Sequence, residues 1–418
     1  MQLEIINTGS ELMLGRVLNT HSHWLCRQLA DCGYRVSRQV AIDDSAPAIR
    51  QAVGEAIARA DVILVTGGLG PTSDDRTRDL IAGLLGRPLR EDAAVLGHIQ
   101  QFFASRDRPM PASTGVQALV PEGARVLLNA CGTAPGLVMD LPPRPDSARA
   151  GLLVMLPGPP RELRPMFTQQ VRPLIEQAFP RHEAFLCHTL RTTGLVESQV
   201  EEKIAGPLGA LTADGLELGY CARPGEVDVR LTACGSRAPS IVGAAEDLIR
   251  RLLGDAIYGT DEVLIEEVVV QRLTARRQTV ALAESCTGGL IADRLTNVPG
   301  ASAVFLAGLV TYSNEAKQAL LGVRPETVVI HGAVSEPVAR EMAAGARQRT
   351  GADFAVAVTG IAGPTGGTVE KPVGTVFLAL AGPQDTSVFR RFNPWDRATF
   401  KYVTSQQALD LLRRGLEA

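Results

Sequence analysis

The sequence predicts an α/β protein made of three folded parts, and three observations predict it. Continuous apolar runs of strand length end in tight turns. DVILVT (61–66) opens into Gly67-Gly68-Leu69-Gly70-Pro71, and GLLVML (151–156) opens into Pro157-Gly158-Pro159-Pro160. Runs of that kind suit strands buried on both faces. Helix-period segments separate them, and such alternation implies right-handed crossovers and a mostly parallel sheet. From about 182 to 261 the order changes to β-α-β-β-α, which suits a small α+β module.

Taken in order, residues 3–7 read as a strand ending in Thr-Gly. A helix follows with Trp24, Leu25, Leu29 and Ala30 on one face and Gly33 as its cap. Residues 34–41 read as a strand, 46–60 as a helix, and 161–179 as a helix closing the first part. Residues 142–149 read as a surface hairpin or loop. In the middle stretch, 185–192 is strand-like and 197–204 helical. Residues 217–222 and 226–233 pair around Arg223-Pro224-Gly225, and 240–253 is an amphipathic helix. In the last part, helices are expected at 263–275, 288–295, 315–321 and 335–350. Strands are expected at 279–283, 303–312, 354–359 and 374–381, again an α/β sandwich.

A chain of 418 residues suits two or three domains of ~100–200 residues each. Its 42 basic and 45 acidic side chains leave a formal charge of −3, without the basic footprint of non-specific nucleic-acid binding. The seven cysteines show no zinc-site spacing and read as reduced thiols. No apolar run approaches the ~20 residues of a membrane span, and the N-terminus lacks a signal layout. A cytoplasmic protein is expected.

Three pieces of the last part carry chemistry. In Ala283-Glu284-Ser285-Cys286-Thr287-Gly288-Gly289 a strand feeds a turn and then a helix. This puts a serine near helix N–H groups that could hold an oxyanion or a phosphate. Locally, such small residues are more often only a cap. In Thr311-Tyr312-Ser313-Asn314-Glu315-Ala316-Lys317, Ser313 or Asn314 can cap a helix whose first turn holds Lys317. The plain reading is a solvated lysine. The sharper one is a lysine made neutral by burial and by the positive helix end, able to act as a base. The third piece is the loop around Thr359, Gly360, Ala362 and Gly363, where glycine lets backbone approach a ligand.

AESCTGG, VTYSNEAK, GAVSEP, VTGIAGPTGG and EKPVGTV, in that order, resemble the C-terminal domain of the CinA family, whose stand-alone versions are nicotinamide-nucleotide amidases. The resemblance covers about Asp261 to the C-terminus. It implies hydrolysis of nicotinamide mononucleotide to nicotinic acid mononucleotide and ammonia, without a cofactor. It assigns the nucleophile to Ser285, the base to Lys317, and a relay or amide-holding role to Tyr312. Cys286, Thr287, Gly288, Gly289, Thr359, Gly360, Ala362 and Gly363 become expected substrate contacts. Arg397 is an expected phosphate partner. A second arginine of some relatives is Lys401 here, which keeps the charge but loses the bidentate fork.

In the first part, Gly67, Gly68 and Gly70 precede Ser73, Asp74, Asp75 and Thr77. Glycines permit phosphate approach, and clustered carboxylates can hold a hard cation. Equally, the acids could merely cap the helix they precede. The motif, together with NTGSELMLGRVLNTHS, GTAPG and LPGPPRE, resembles the molybdopterin-binding (MoaB/MogA-like) domain in its CinA version. That resemblance implies metal-dependent cleavage of ADP-ribose into AMP and ribose 5-phosphate, with Mg or Co and K as a further candidate ion. Asp75 is the expected metal ligand. Glu11, Asp74 and Asp79 are weaker candidates. A binding module without activity stays the alternative.

The middle stretch resembles a KH-type module. It is read as lacking the G-x-x-G loop that clamps RNA, so a structural or dimerising role is expected and nucleic acid is not. The domain boundaries are drawn at 1–178, 179–258 and 259–418, and a homodimer without membrane partners is expected. The rival to this two-enzyme reading is a non-enzymatic nucleotide-binding adaptor in competence or DNA repair.

Overall fold

A computed structural model describes residues 1–144, 149–180 and 185–416. Residues 145–148 of the expected 142–149 loop, and 182–184 at the expected start of the middle module, lie outside the described residues. The chain divides into two bodies, Met1–Phe185 and Leu186–Ala418.

The first body is built on a six-stranded sheet ordered Arg38–Ile42, Leu3–Thr8, Val62–Thr66, Gly151–Leu156, Gly136–Leu141, Arg125–Leu127. The first four strands are parallel and the last two antiparallel. Its central strands are mostly apolar because both faces are covered. Ile6, Ile63, Val65, Leu153 and Met155 pack on one side, while Ile5, Val62, Leu64, Leu152 and Val154 pack on the other. Each such side chain contributes roughly 1.5–3 kcal/mol of burial.

Two expectations for this body are corrected. The strand placed at 34–41 begins only at Arg38. Tyr34 is buried below it instead, and its hydroxyl donates to the Phe179 carbonyl at 3.0 Å. The helix placed at 161–179 is Pro160–Met166 and Arg172–Ala178 joined by a π turn at Phe167–Val171. Pro165 and Pro173 each lack the N–H that an α ladder needs, and the ladder widens between them.

The second body holds two sheets. The four-stranded one is ordered Glu217–Arg223, Glu226–Cys234, Phe185–Thr193, Ile257–Thr260. The first two form the hairpin expected around Pro224-Gly225, with Arg223 opposite Glu226. Ile257–Thr260 adds a strand that the four-residue run did not reveal. The reading that this stretch lacks a G-x-x-G is corrected. Gly206-Pro207-Leu208-Gly209 has that spacing, between the helices Glu197–Ile204 and Gly209–Ala213. Leu208 is fully buried, and Glu201, Glu202, Lys203 and Asp214 flank the turn. A buried apolar residue with one lysine among three acids is not a basic clamp for a phosphate backbone.

The five-stranded sheet is ordered Phe305–Val310, Val280–Glu284, Phe354–Gly360, Thr375–Ala381, Thr386–Phe392. The first three are parallel and the last two antiparallel. Its strands alternate large and small residues. Val280, Leu282, Val356, Val358, Leu378 and Leu380 face the helices Ile265–Arg276 and Arg397–Gly415. Ala281, Ala283, Ala355, Ala357, Ala379 and Ala381 face the helix Glu336–Thr350. The alanine face lets that helix lie close to the sheet. Its Gly345 allows a second close approach, since a Cβ there would stand 1.8 Å from the Leu321 carbonyl oxygen.

Candidate active site

The parallel strands of the second body end together on one side of the sheet, where loops converge. Ser285 follows the strand Val280–Glu284, second in the sheet, and its N–H donates to the Val358 carbonyl of the central strand at 3.0 Å. Gly288 and Gly289, at φ 63° and 95°, turn the chain into the helix Leu290–Thr296.

Lys317 comes from the other side. Ser313 caps the helix Asn314–Leu321 by accepting from the Ala316 N–H at 3.1 Å, which places Lys317 in its first turn, facing inward. The side chain is 1 % exposed. Its Nζ lies 3.0 Å from Ser285 Oγ, 2.8 Å from the Thr311 carbonyl and 3.4 Å from the Tyr312 carbonyl. Among the described residues no carboxylate pairs with it, and burial holds its pKa below the usual lysine value. Nζ donates to Ser285 Oγ and to the two carbonyls. In the neutral form two N–H groups would serve the carbonyls and the lone pair would receive the Ser285 O–H.

The serine and lysine open on a cavity of about 290 Å³. Cys286, Tyr312, Thr359, Gly360, Ala362, Gly363 and Arg397 line it, as the sequence predicts. The Thr359 hydroxyl donates to the Ala333 carbonyl at 2.8 Å, tying the 332–337 segment to the wall. Asp396 caps the helix Arg397–Gly415, so Arg397 stands at its first position. Its guanidinium donates to the Gly363 carbonyl at 2.8 Å and to the Tyr312 hydroxyl at 2.9 Å.

Three expected contacts are corrected. Thr287, Gly288 and Gly289 do not line the cavity. The cause is Glu284, 1 % exposed, whose carboxylate accepts from the N–H groups of Gly289 at 3.0 Å, Ile291 at 3.2 Å and Ala292 at 2.9 Å. The helix start is therefore occupied by the protein's own anion. The N–H groups of Cys286 and Thr287 are not taken by Glu284 and face the Cys286 sulfur. Tyr312 is also corrected as a relay. Its ring is 62 % exposed at the rim, and its phenol pairs with Arg397 while Nζ meets Oγ directly. Sequence reasoning missed Asn314, Ile361, Thr365 and Gly366 in the lining. It also missed the anchoring role of Glu284, which lies just past the strand expected at 279–283.

The first body has its own cleft, of about 540 Å³, at the carboxyl ends of Leu3–Thr8, Val62–Thr66 and Gly151–Leu156. Glu11, Gly67, Gly68, Gly70, Asp74 and Asp75 line it, together with His21, Asp44 and Glu162. Thr77 does not line it. It is fully buried beneath Gly68, where a Cβ would stand 2.0 Å from its hydroxyl. Asp79 lies outside, paired with Arg78 at 2.6 Å. Asp75 is committed to its own loop, with Oδ2 accepting from the Thr72 N–H at 3.0 Å and from the Thr72 hydroxyl. Among the described residues no three His, Cys, Asp or Glu side chains converge as a metal site. Asp75 faces the cleft with one of its oxygens held by Thr72.

Similarity to known proteins follows the same division. Residues 4–177 match the family model for the probable molybdopterin binding domain, 187–259 the damage-inducible protein CinA KH domain, and 262–416 the CinA C-terminal domain. A CinA-like protein of Akkermansia muciniphila is 45% identical over 98% of this chain and 96% of its own length. Another, of Chlorobaculum tepidum, is 43% identical over 91% of this chain and 89% of its own. The crystal structure of the competence/damage inducible protein CihA from Agrobacterium tumefaciens is 44% identical, covering 37% of this chain and 98% of that one, with a TM-score of 0.35. Identity of this extent over nearly the whole length places the chain in the CinA family.

Proposed function

We propose that the C-terminal cavity hydrolyses the carboxamide of nicotinamide mononucleotide, giving nicotinic acid mononucleotide and ammonia. One observation carries this reading: a buried lysine without a carboxylate partner, 3.0 Å from a serine hydroxyl that opens on a cavity. Lys317 takes the Ser285 proton as Oγ attacks the carboxamide carbon. The oxyanion turns toward the Cys286 N–H. Ammonia leaves with the proton from Lys317. Water then gives a proton to Lys317 and attacks the acyl carbon, and Ser285 recovers its hydrogen as the carboxylate departs. Arg397, at the mouth, offers its guanidinium to the ribose phosphate. An ammonia assay on purified protein with the mononucleotide tests the reading. Turnover in the wild type that vanishes in Ser285→Ala supports it, and turnover that survives the substitution removes the nucleophile.

For the N-terminal cleft the second reading is nucleotide binding, with cleavage of ADP-ribose as its strongest form. It is favoured by the backbone at Gly67 and Gly68, whose φ of 96° and 67° brings the chain to the cleft wall without side chains. AMP formation from ADP-ribose with Mg²⁺ or Co²⁺ tests it.

A further inference from the structure

The middle module and the C-terminal sheet lie in one body, and a buried polar cluster joins them. Its centre is Glu226, the first residue after the hairpin tip of the module. Oε1 accepts from the Tyr258 hydroxyl, from Gln406 Nε2 at 3.2 Å and from Arg191 at 3.5 Å. Oε2 accepts from the Tyr402 hydroxyl at 3.0 Å. The tip is itself held in place. The Thr193 hydroxyl donates to the Gly225 carbonyl at 2.8 Å, and the Thr192 hydroxyl to the Val227 carbonyl at 2.7 Å. At Gly225, φ is 82° and a Cβ would meet Val403 at 3.7 Å and Gln406 at 3.8 Å, so the tip seats directly on the final helix.

That final helix, Arg397–Gly415, begins with Arg397 at the cavity mouth and presents Tyr402 and Gln406 to Glu226 one and two turns later. Gln406 also faces the other way. Its Oε1 accepts from Arg294 at 2.7 Å, and Arg294 donates to the Ser405 hydroxyl at 2.8 Å and pairs with Glu266 at 2.7 Å. Arg294 lies on Leu290–Thr296, the helix that starts directly after the Ser285 turn. One carboxylate of the module is thus linked directly to the helix that carries Arg397 and, through Gln406 and Arg294, to the helix that follows the Ser285 turn. Neither Glu226 nor Gln406 lines the cavity.

We infer that the middle module is a positioning element for the C-terminal site, with Glu226, acting through Tyr402 and Gln406, setting where Arg397 stands. This rests on the amidase reading for its kinetic consequence but not for its structural content. A buried carboxylate with several hydrogen-bonded donors fixes them tightly, because any donor left unpaired inside the protein is costly. Loss of the carboxylate loosens the first turns of the final helix, whose remaining polar ties include the Arg397 contacts to Gly363 and Tyr312, the Asp396 cap, and the bonds of Asn393 to Thr404 and of Arg294 to Ser405 and Gln406 further along.

Two variants of the full chain test this, Glu226→Gln and Tyr402→Phe, each read in two ways. In hydrogen exchange, amides of 398–406 should exchange about tenfold faster than in the wild type, with the N-terminal body unchanged. In kinetics with nicotinamide mononucleotide, KM should rise about fivefold to twentyfold while kcat stays within about twofold. In an Arg397→Ala background the same substitutions should then leave KM unmoved, since the group they position is gone. Unchanged exchange in 398–406 in both variants overturns the inference, as does a KM effect that persists fully without Arg397. A uniform rise in exchange over the whole second body would mark Glu226 as merely structural and also overturns it. Wild-type protein that releases no ammonia, with the exchange response intact, sinks the amidase reading and leaves the positioning role standing.

Discussion

The N-terminal cleft and the C-terminal cavity are built by one rule and filled in opposite ways. Each opens where parallel strands end, and each has a glycine turn that strips side chains from the wall. In the N-terminal cleft two acids are matched by neighbouring residues. Asp75 is held by Thr72 and Glu162 accepts from the Asn129 amide at 2.8 Å, while His21 Nδ1 and Gln117 Oε1 are buried without a hydrogen-bond partner among the described residues. In the C-terminal cavity the central pair is matched only to itself and to two carbonyls, and one partner is a lysine kept below its normal pKa. Matched polar groups hold a shape, whereas a nucleophile beside a base without a counter-ion is poised to react.

The sharpest way to break that contrast is at Ser285. Ser285→Ala should lower ammonia release from the mononucleotide by about 10³-fold or more, leaving binding near the wild-type value. Lys317→Met should fall nearly as far. Lys317→Arg should be no better, because a guanidinium does not become neutral at working pH; activity in that variant would show that Lys317 acts by charge and not as a base. The pH profile is the next test. The competent form is the neutral amine, so kcat/KM should rise with pH about tenfold per unit up to a lysine pKa that burial has lowered, then level off. A flat profile, with the chemical step limiting, would contradict it. Arg397→Ala should raise KM about tenfold to a hundredfold with a smaller change in kcat, as expected for loss of a phosphate contact. The smallest effect belongs to the other region. Asp75→Ala should cost about 1–2 kcal/mol of stability, read by denaturant melting, because Thr72 loses its acceptor. Abolished AMP formation from ADP-ribose without any such loss would show instead that Asp75 works on a ligand.

Much of this was legible before folding. The runs at 62–65, 151–156 and 280–283 are buried strands because every position is apolar or glycine, and that is visible in one reading of the chain. Strands such as Leu89–Glu91 and Leu119–Pro121 were not, since three residues carry no period. The approach of Lys317 to Ser285 was expected only from a resemblance, because a first-turn lysine can as well face water. The site's errors share one cause. Thr287, Gly288 and Gly289 look like an anion seat only if the helix start is free, and nothing local to Glu284 reveals that its side chain folds back onto it. Asp75 and Thr72, three residues apart, close on each other in the same hidden way.

Glu284 also bears on where a ligand's charge can sit. A helix start usually attracts phosphate, and here a buried carboxylate has taken its N–H groups just behind the nucleophile, so that end is closed to an anion. The cation at the cavity mouth is Arg397. If the amidase reading holds, a mononucleotide entering ring-first carries its carboxamide inward to the serine and leaves its phosphate beside that cation. The cap of a seven-residue helix would then also act as a polarity key for the cavity.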